Sequence, residues 1–140
     1  MITTVSKKQA TLSISGRVIK GDQYGRTLGF PTANLDRRSY SRRKLKIRFG
    51  IYLGNVELKD SKIERFKNYP AGVIIGPLDK SGLPKLEAHL IGFKGNLYGK
   101  KITIILQKYL RPFKKFKSEE SLKIQIKKDL NRIKKIIHGK

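Results

Sequence analysis

GIYLGNVEL at 50–58, AGVII at 71–75, KLEAHLIGF at 85–93 and KKITIILQKY at 100–109 decide the fold. Each run has the composition of a strand, and turn-forming residues separate one from the next. Upstream, LSISGRVI at 12–19 alternates apolar with small or polar residues, the pattern of a half-buried strand. Gly21, Gly25 and Gly29 then interrupt the chain and Pro31 imposes extended backbone, so GDQYGRTLGFPTAN at 21–34 reads as a loop entering a short strand. About six strands result, with no strand–helix alternation among them. A closed or nearly closed antiparallel barrel is therefore expected in place of a doubly wound parallel sheet.

The segment 36–48 is basic and poorly patterned, and reads as an exposed flap. Near the end of the chain, Ser118 followed by Glu119 and Glu120 marks a helix start, because a hydroxyl can cap the first turn and acids suit its positive end. Leu122, Ile126, Leu130, Ile133 and Ile137 recur at spacings of three and four, which predicts one apolar stripe docked on the barrel and closed by Gly139.

At 140 residues with 38% apolar content, the chain is long enough for a single core that hides about two thirds of the unfolded surface. The absence of cysteine excludes disulfides, thiolate zinc and iron–sulfur clusters, and His89 and His138 are too far apart in sequence to suggest a metal site. No run approaches the roughly 18 apolar residues of a membrane span, which predicts a cytoplasmic protein with no membrane partner. The 33 Lys and Arg against 10 Asp and Glu give a charge of +23, a field that attracts nucleotides and nucleic acids alike.

The GDQYGRT fragment at 21–27 has one spacer too few for a GxxxxGK[ST] loop and carries Arg26 in place of the lysine. The phosphate-binding physics survives all the same, since glycines expose backbone N–H groups and Arg26 supplies charge. In FPTAN, extended backbone puts Thr32 and Asn34 on one face, where a hydroxyl and an amide oxygen could share a magnesium ion or merely satisfy nearby backbone. In LEAHL, alternation sends Leu86, Ala88 and Leu90 one way and Glu87 and His89 the other. A carboxylate within an apolar strand is either a general base for an alcohol or one half of a salt bridge, whereas His89 reads as structural.

Taken in order, these segments resemble the ATP-dependent riboflavin kinases, or flavokinases, of bacteria and eukaryotes. The resemblance is carried by GRVIKGDQYGRTLGFPTAN (16–34), GIYLGNV (50–56), LEAHL (86–90), NLYG (96–99) and LRPFKKFKSEESL (110–122), and spans about 16–129. It implies a six-stranded antiparallel Greek-key barrel with a C-terminal helix, and transfer of the γ-phosphate of ATP to the 5′-hydroxyl of riboflavin, giving FMN and ADP. It also implies roles. Gly21 and Arg26 would belong to a flap over the ATP phosphates, with Leu90 and Tyr98 near the nucleotide. Thr32 and Asn34 would hold Mg2+, and Glu87 would be the catalytic base. Arg111, Lys114 and Ser121 would contact the flavin, with FMN able to remain bound. The segment VIIGPLDKSGLPK at 73–85 departs from the family pattern.

Fifteen residues precede Gly16, so one riboflavin kinase domain over 1–140 is expected, acting as a monomer and without the adenylyltransferase domain of bifunctional relatives. The alternative is a basic β-barrel that binds nucleic acid, supported by the charge and the pairs Arg37–Arg38 and Arg42–Arg43. It explains less, because base-stacking barrels interleave exposed aromatics with basic residues and the aromatics here are scattered. Secondary nucleic-acid binding beside the kinase activity is compatible with the charge.

Overall fold

The computed structural model describes residues 12–20, 29–36, 38, 46–60, 62 and 64–139. Six strands, β1 (Leu12–Ile19), β2 (Ala33–Leu35), β3 (Gly50–Asp60), β4 (Arg65–Leu78), β5 (Pro84–Leu90) and β6 (Lys101–Arg111), precede one helix, α1 (Glu119–His138). The strands close into a barrel in the order β1-β2-β5-β4-β3-β6, and every pairing is antiparallel. The β2–β3 and β5–β6 connections bypass neighbouring strands, as a Greek key requires.

Alternation along each strand fills the interior. Ile14, Val18, Leu35, Val56, Val73, Ile75, Leu86, Ile102 and Ile104 point inward and are buried, with Tyr69, Phe93 and Tyr109 packed against them. Burying each such side chain contributes about 1.5–3 kcal/mol, which outweighs the modest propensity of any single strand. At Gly54 the interior is too tight for a side chain: a Cβ would lie 2.7 Å from Val73 Cγ2 and 2.8 Å from the Ile105 carbonyl oxygen. Glycine there lets β3 and β6 approach at a register shift.

Three boundaries differ from the sequence reading. The strand expected at 71–75 begins at Arg65, because β3 and β4 form a long hairpin paired from Gly50↔Ile75 to Asp60↔Arg65. Residues 65–68 are all exposed near its tip, so no inside–outside alternation announces them. The strand expected to reach Phe93 stops at Leu90, where the Ile91 N–H closes on the Pro70 carbonyl and Gly92 turns the chain at φ +87°. Within the expected flap, residues 37 and 39–45 lie outside the described residues, but Ile47 is buried against the core, and the Tyr52 hydroxyl donates to the Arg48 carbonyl.

The helix begins as expected. Ser118 is its N-cap and Glu119 and Glu120 occupy the first turn, while the Gly139 N–H donates to the Lys135 carbonyl at the far end. Ile133 is fully buried in a second cluster with Ile51, Leu53 and Leu110 on the outside of the barrel. This anchors the C-terminal half of the helix. No helix among the described residues is long and apolar enough to cross a membrane.

Candidate active site

The short strand β2 brings distant residues together. It pairs with β5 so that Ala33 faces Ala88 and Asn34 faces Glu87. Ala33, Leu35, Leu86, Ala88 and Leu90 are buried in the barrel, which leaves the half-buried Thr32, Asn34, Glu87 and His89 on its outer side. There the Thr32 hydroxyl donates to Glu87 Oε1 at 2.9 Å. His89 is held in place: its Nδ1 donates to the Pro31 carbonyl oxygen at 2.7 Å, and its ring meets Phe30 edge-on.

Cavities lie on both sides of this group. One of about 430 Å³ is bordered by Leu90, Lys94, Asn96 and Tyr98, with Thr32 and His89 at its edge. Its shape depends on the 96–99 turn. There the Asn96 side chain accepts from the Tyr98 N–H, and the Gly99 N–H donates to the Val18 carbonyl of β1. The second cavity, of about 340 Å³, lies between the outer face of the barrel and the face of α1 that carries Leu122, Ile126, Leu130 and Ile133. Thr32 and His89 border it as well, and Glu87, Lys85, Arg111, Lys114 and Asp129 bring charge to a wall otherwise built from apolar side chains.

The helix stripe serves both purposes: Leu122, Ile126, Leu130 and Ile133 line the cavity together with Ile74, Phe113 and Phe116, and Ile133 also closes on the barrel. Gly72 contributes to the opening: a Cβ there would touch Ile133 Cδ1 at 3.5 Å and Leu130 Cδ2 at 3.7 Å. Arg111, at the end of β6, reaches across to the helix and pairs with Asp129 through two hydrogen bonds, Nε to Oδ1 at 2.9 Å and Nη2 to Oδ2 at 2.7 Å.

The structure therefore gathers Thr32, Asn34 and Glu87, sets Leu90 and Tyr98 along the larger cavity, and sets Arg111 and Lys114 along the apolar one. Asn34 borders neither cavity directly but sits opposite Glu87 in the ladder. Ser121 is placed differently. It is the N3 residue of a capping box, its hydroxyl donating to the Ser118 carbonyl and its N–H to Ser118 Oγ, and it does not border the apolar cavity. Gly21 and Arg26 lie outside the described residues.

Sequence reasoning did not single out Phe30, Phe113, Phe116 or Asp129. The aromatics of LRPFKKFKS were a usable signal, since two phenylalanines in a lysine-rich loop need an apolar surface to cover. Asp129 gave none, being one charge on a charged helix. The aromatics Phe49, Tyr52, Tyr69, Phe93 and Tyr109 pack against the barrel core, so they do not form an external stacking platform.

A family model described as Flavokinase: Riboflavin kinase matches residues 8–137. The chain belongs to the riboflavin kinase family. A bifunctional riboflavin kinase/FMN adenylyltransferase of Haemophilus influenzae is 37% identical over 117 residues, covering 84% of this chain and 36% of that protein. Among solved structures, a Streptococcus pneumoniae protein titled a macrolide-efflux protein superposes with a TM-score of 0.70 at 27% identity, covering 88% of this chain and 38% of that one. Riboflavin kinase from Trypanosoma brucei has the same fold, with a TM-score of 0.67 at 22% identity over 92% of this chain and 78% of its own. The chain spans 35 to 40% of the length of the curated bacterial relatives it matches.

Proposed function

We propose that the chain is a riboflavin kinase that transfers the γ-phosphoryl group of ATP to the 5′-hydroxyl of riboflavin, releasing FMN and ADP, as a cytoplasmic monomer using Mg2+. The observation that carries this reading is the Thr32–Glu87 hydrogen bond, between a threonine that borders both cavities and a carboxylate that borders the one under the helix. The planar flavin ring suits the apolar cavity between α1 and the barrel, with its ribityl tail directed toward Glu87. The nucleotide suits the other cavity, beside Leu90, Tyr98 and Lys94, and Gly21 and Arg26 are assigned to the flap over its phosphates.

In this arrangement the 5′-hydroxyl oxygen forms a bond to the γ-phosphorus while the bond from that phosphorus to the bridging oxygen breaks, and ADP leaves with the electron pair. Glu87 accepts the hydroxyl proton. The Thr32 hydroxyl holds the carboxylate by donating its one proton, which leaves its own lone pairs facing elsewhere. The rest of catalysis is alignment and charge stabilisation, as phosphoryl transfer demands.

The donor set fits a magnesium ion. Thr32 and Asn34 offer neutral hard oxygens on one side of β2, and no group of three or more His, Cys, Asp or Glu side chains capable of holding a metal occurs among the described residues. Such a site draws its remaining ligands from water and nucleotide phosphates. Bound there, Mg2+ supplies charge neutralisation to the phosphate oxygens.

Incubation with riboflavin and Mg–ATP, followed by chromatography of the flavins, tests the proposal. FMN accumulates, and EDTA stops its formation. Riboflavin recovered unchanged from a folded sample contradicts the reading.

A further inference from the structure

The Arg111–Asp129 pair stands apart from the other ion pairs of the described surface. Its side chains are each only 13% exposed, whereas those of Lys59–Glu64 are 51% and 71% exposed. The contact is bidentate, and Asp129 Oδ1 also accepts from Gln125 Nε2 one helical turn earlier. Arg111 Nη1 donates to the Pro112 carbonyl. Three of the five guanidinium N–H groups are thereby committed and two remain. Both residues border the apolar cavity that also holds Glu87.

Anchoring of the helix does not by itself account for the pair. Ile133 already buries the helix against the barrel, and Arg132 Nη1 separately donates to the Leu110 carbonyl at 3.1 Å. What the pair adds is a fixed guanidinium plane at the wall of a largely apolar chamber that also holds Lys85, Glu87 and Lys114. It also fixes the start of the 112–118 loop, which sends Phe113, Lys114 and Phe116 to the same chamber. An arginine without a partner there would swing its long side chain out to water, since an uncompensated charge against an apolar wall is costly.

We propose that Asp129 is a positioning residue for flavin binding: it holds Arg111 so that the remaining N–H donors meet the acceptor atoms along one edge of the planar ring. The inference rests on the riboflavin kinase reading and extends it to a helix residue remote from the phosphoryl-transfer group. It predicts a separation of effects. Flavin affinity depends on Asp129, while the chemical step and nucleotide binding do not.

Riboflavin binding is read from quenching of flavin fluorescence without ATP, and steady-state kinetics are measured for both substrates. Asp129→Asn, which keeps the shape and loses the charge, should raise the Kd and KM for riboflavin by about tenfold or more while kcat and the KM for ATP stay near wild type. Asp129→Glu should recover part of the loss. Arg132→Gln, which removes the hydrogen bond from the helix to the Leu110 carbonyl of β6, should lower the melting temperature without that change in KM. Should Asp129→Asn fail to fold, Gln125→Leu should show a smaller rise in riboflavin Kd in the same direction. Wild-type riboflavin affinity in a folded Asp129→Asn or in Gln125→Leu overturns the inference, as does an equal loss of kcat and ATP affinity. A wild-type protein that neither binds nor phosphorylates riboflavin overturns the proposed function, and this inference with it.

Discussion

Thr32 Oγ1 lies 2.9 Å from Glu87 Oε1, joining residues 55 apart in sequence, one at the entrance to β2 and the other on β5. The bond exists because β2 and β5 pair with Asn34 opposite Glu87, so the threonine at the strand entrance meets the carboxylate along the same outer face. The pairing of the short strand β2 with β5 thus brings Thr32, Asn34 and Glu87 together.

Loss of either neutral oxygen should weaken metal binding before it affects the fold. Thr32→Val and Asn34→Ala are expected to raise the Mg2+ concentration for half-maximal FMN formation by about tenfold or more, with Thr32→Ser close to wild type. Magnesium titration of the initial rate checks this. An unchanged midpoint in both variants removes these residues from the metal site.

Gly72 keeps the apolar cavity open between barrel and helix, with Ile133 Cδ1 only 3.5 Å from where a Cβ would stand. Gly72→Leu should crowd Leu130 and Ile133 and raise the KM for riboflavin by about tenfold or more, leaving the KM for ATP unaffected. Parallel kinetics against the two substrates read the difference, and equal changes in both would contradict a cavity-specific effect.

Ile133 is fully buried where the helix meets the outside of the barrel. Ile133→Ala should lower the unfolding free energy by about 2–5 kcal/mol, measured by urea denaturation. Ile124, which is 47% exposed on the same helix, should tolerate alanine with a change inside about 0.5 kcal/mol.

Much of this was legible in the sequence, and the limits are physical. The alternation in LEAHL put Glu87 and His89 on the face opposite Leu86, Ala88 and Leu90 correctly, because a period of two is imposed by the pleat and needs no knowledge of the partner strand. The stripe of α1 was equally clear from its spacing. What the stripe could not reveal was that only its C-terminal part closes on the barrel while Leu122 and Ile126 border a chamber. Strand pairing sets the Thr32–Glu87 contact, and a hairpin tip without inside–outside alternation hides the start of β4. Asp129 acquires its meaning only when Arg111, 18 residues earlier, turns out to lie beside it. Ser121 shows the converse: its place in the motif suggested the ligand, while its hydroxyl serves the helix cap.

The most direct measurement is a single-turnover experiment on Glu87→Gln preloaded with riboflavin and mixed with Mg–ATP. Flavin binding should match wild type, while FMN should appear roughly 10²- to 10⁴-fold more slowly. FMN formed at the wild-type rate would show that the carboxylate beside Thr32 does not take the proton, and the account of this site would fail.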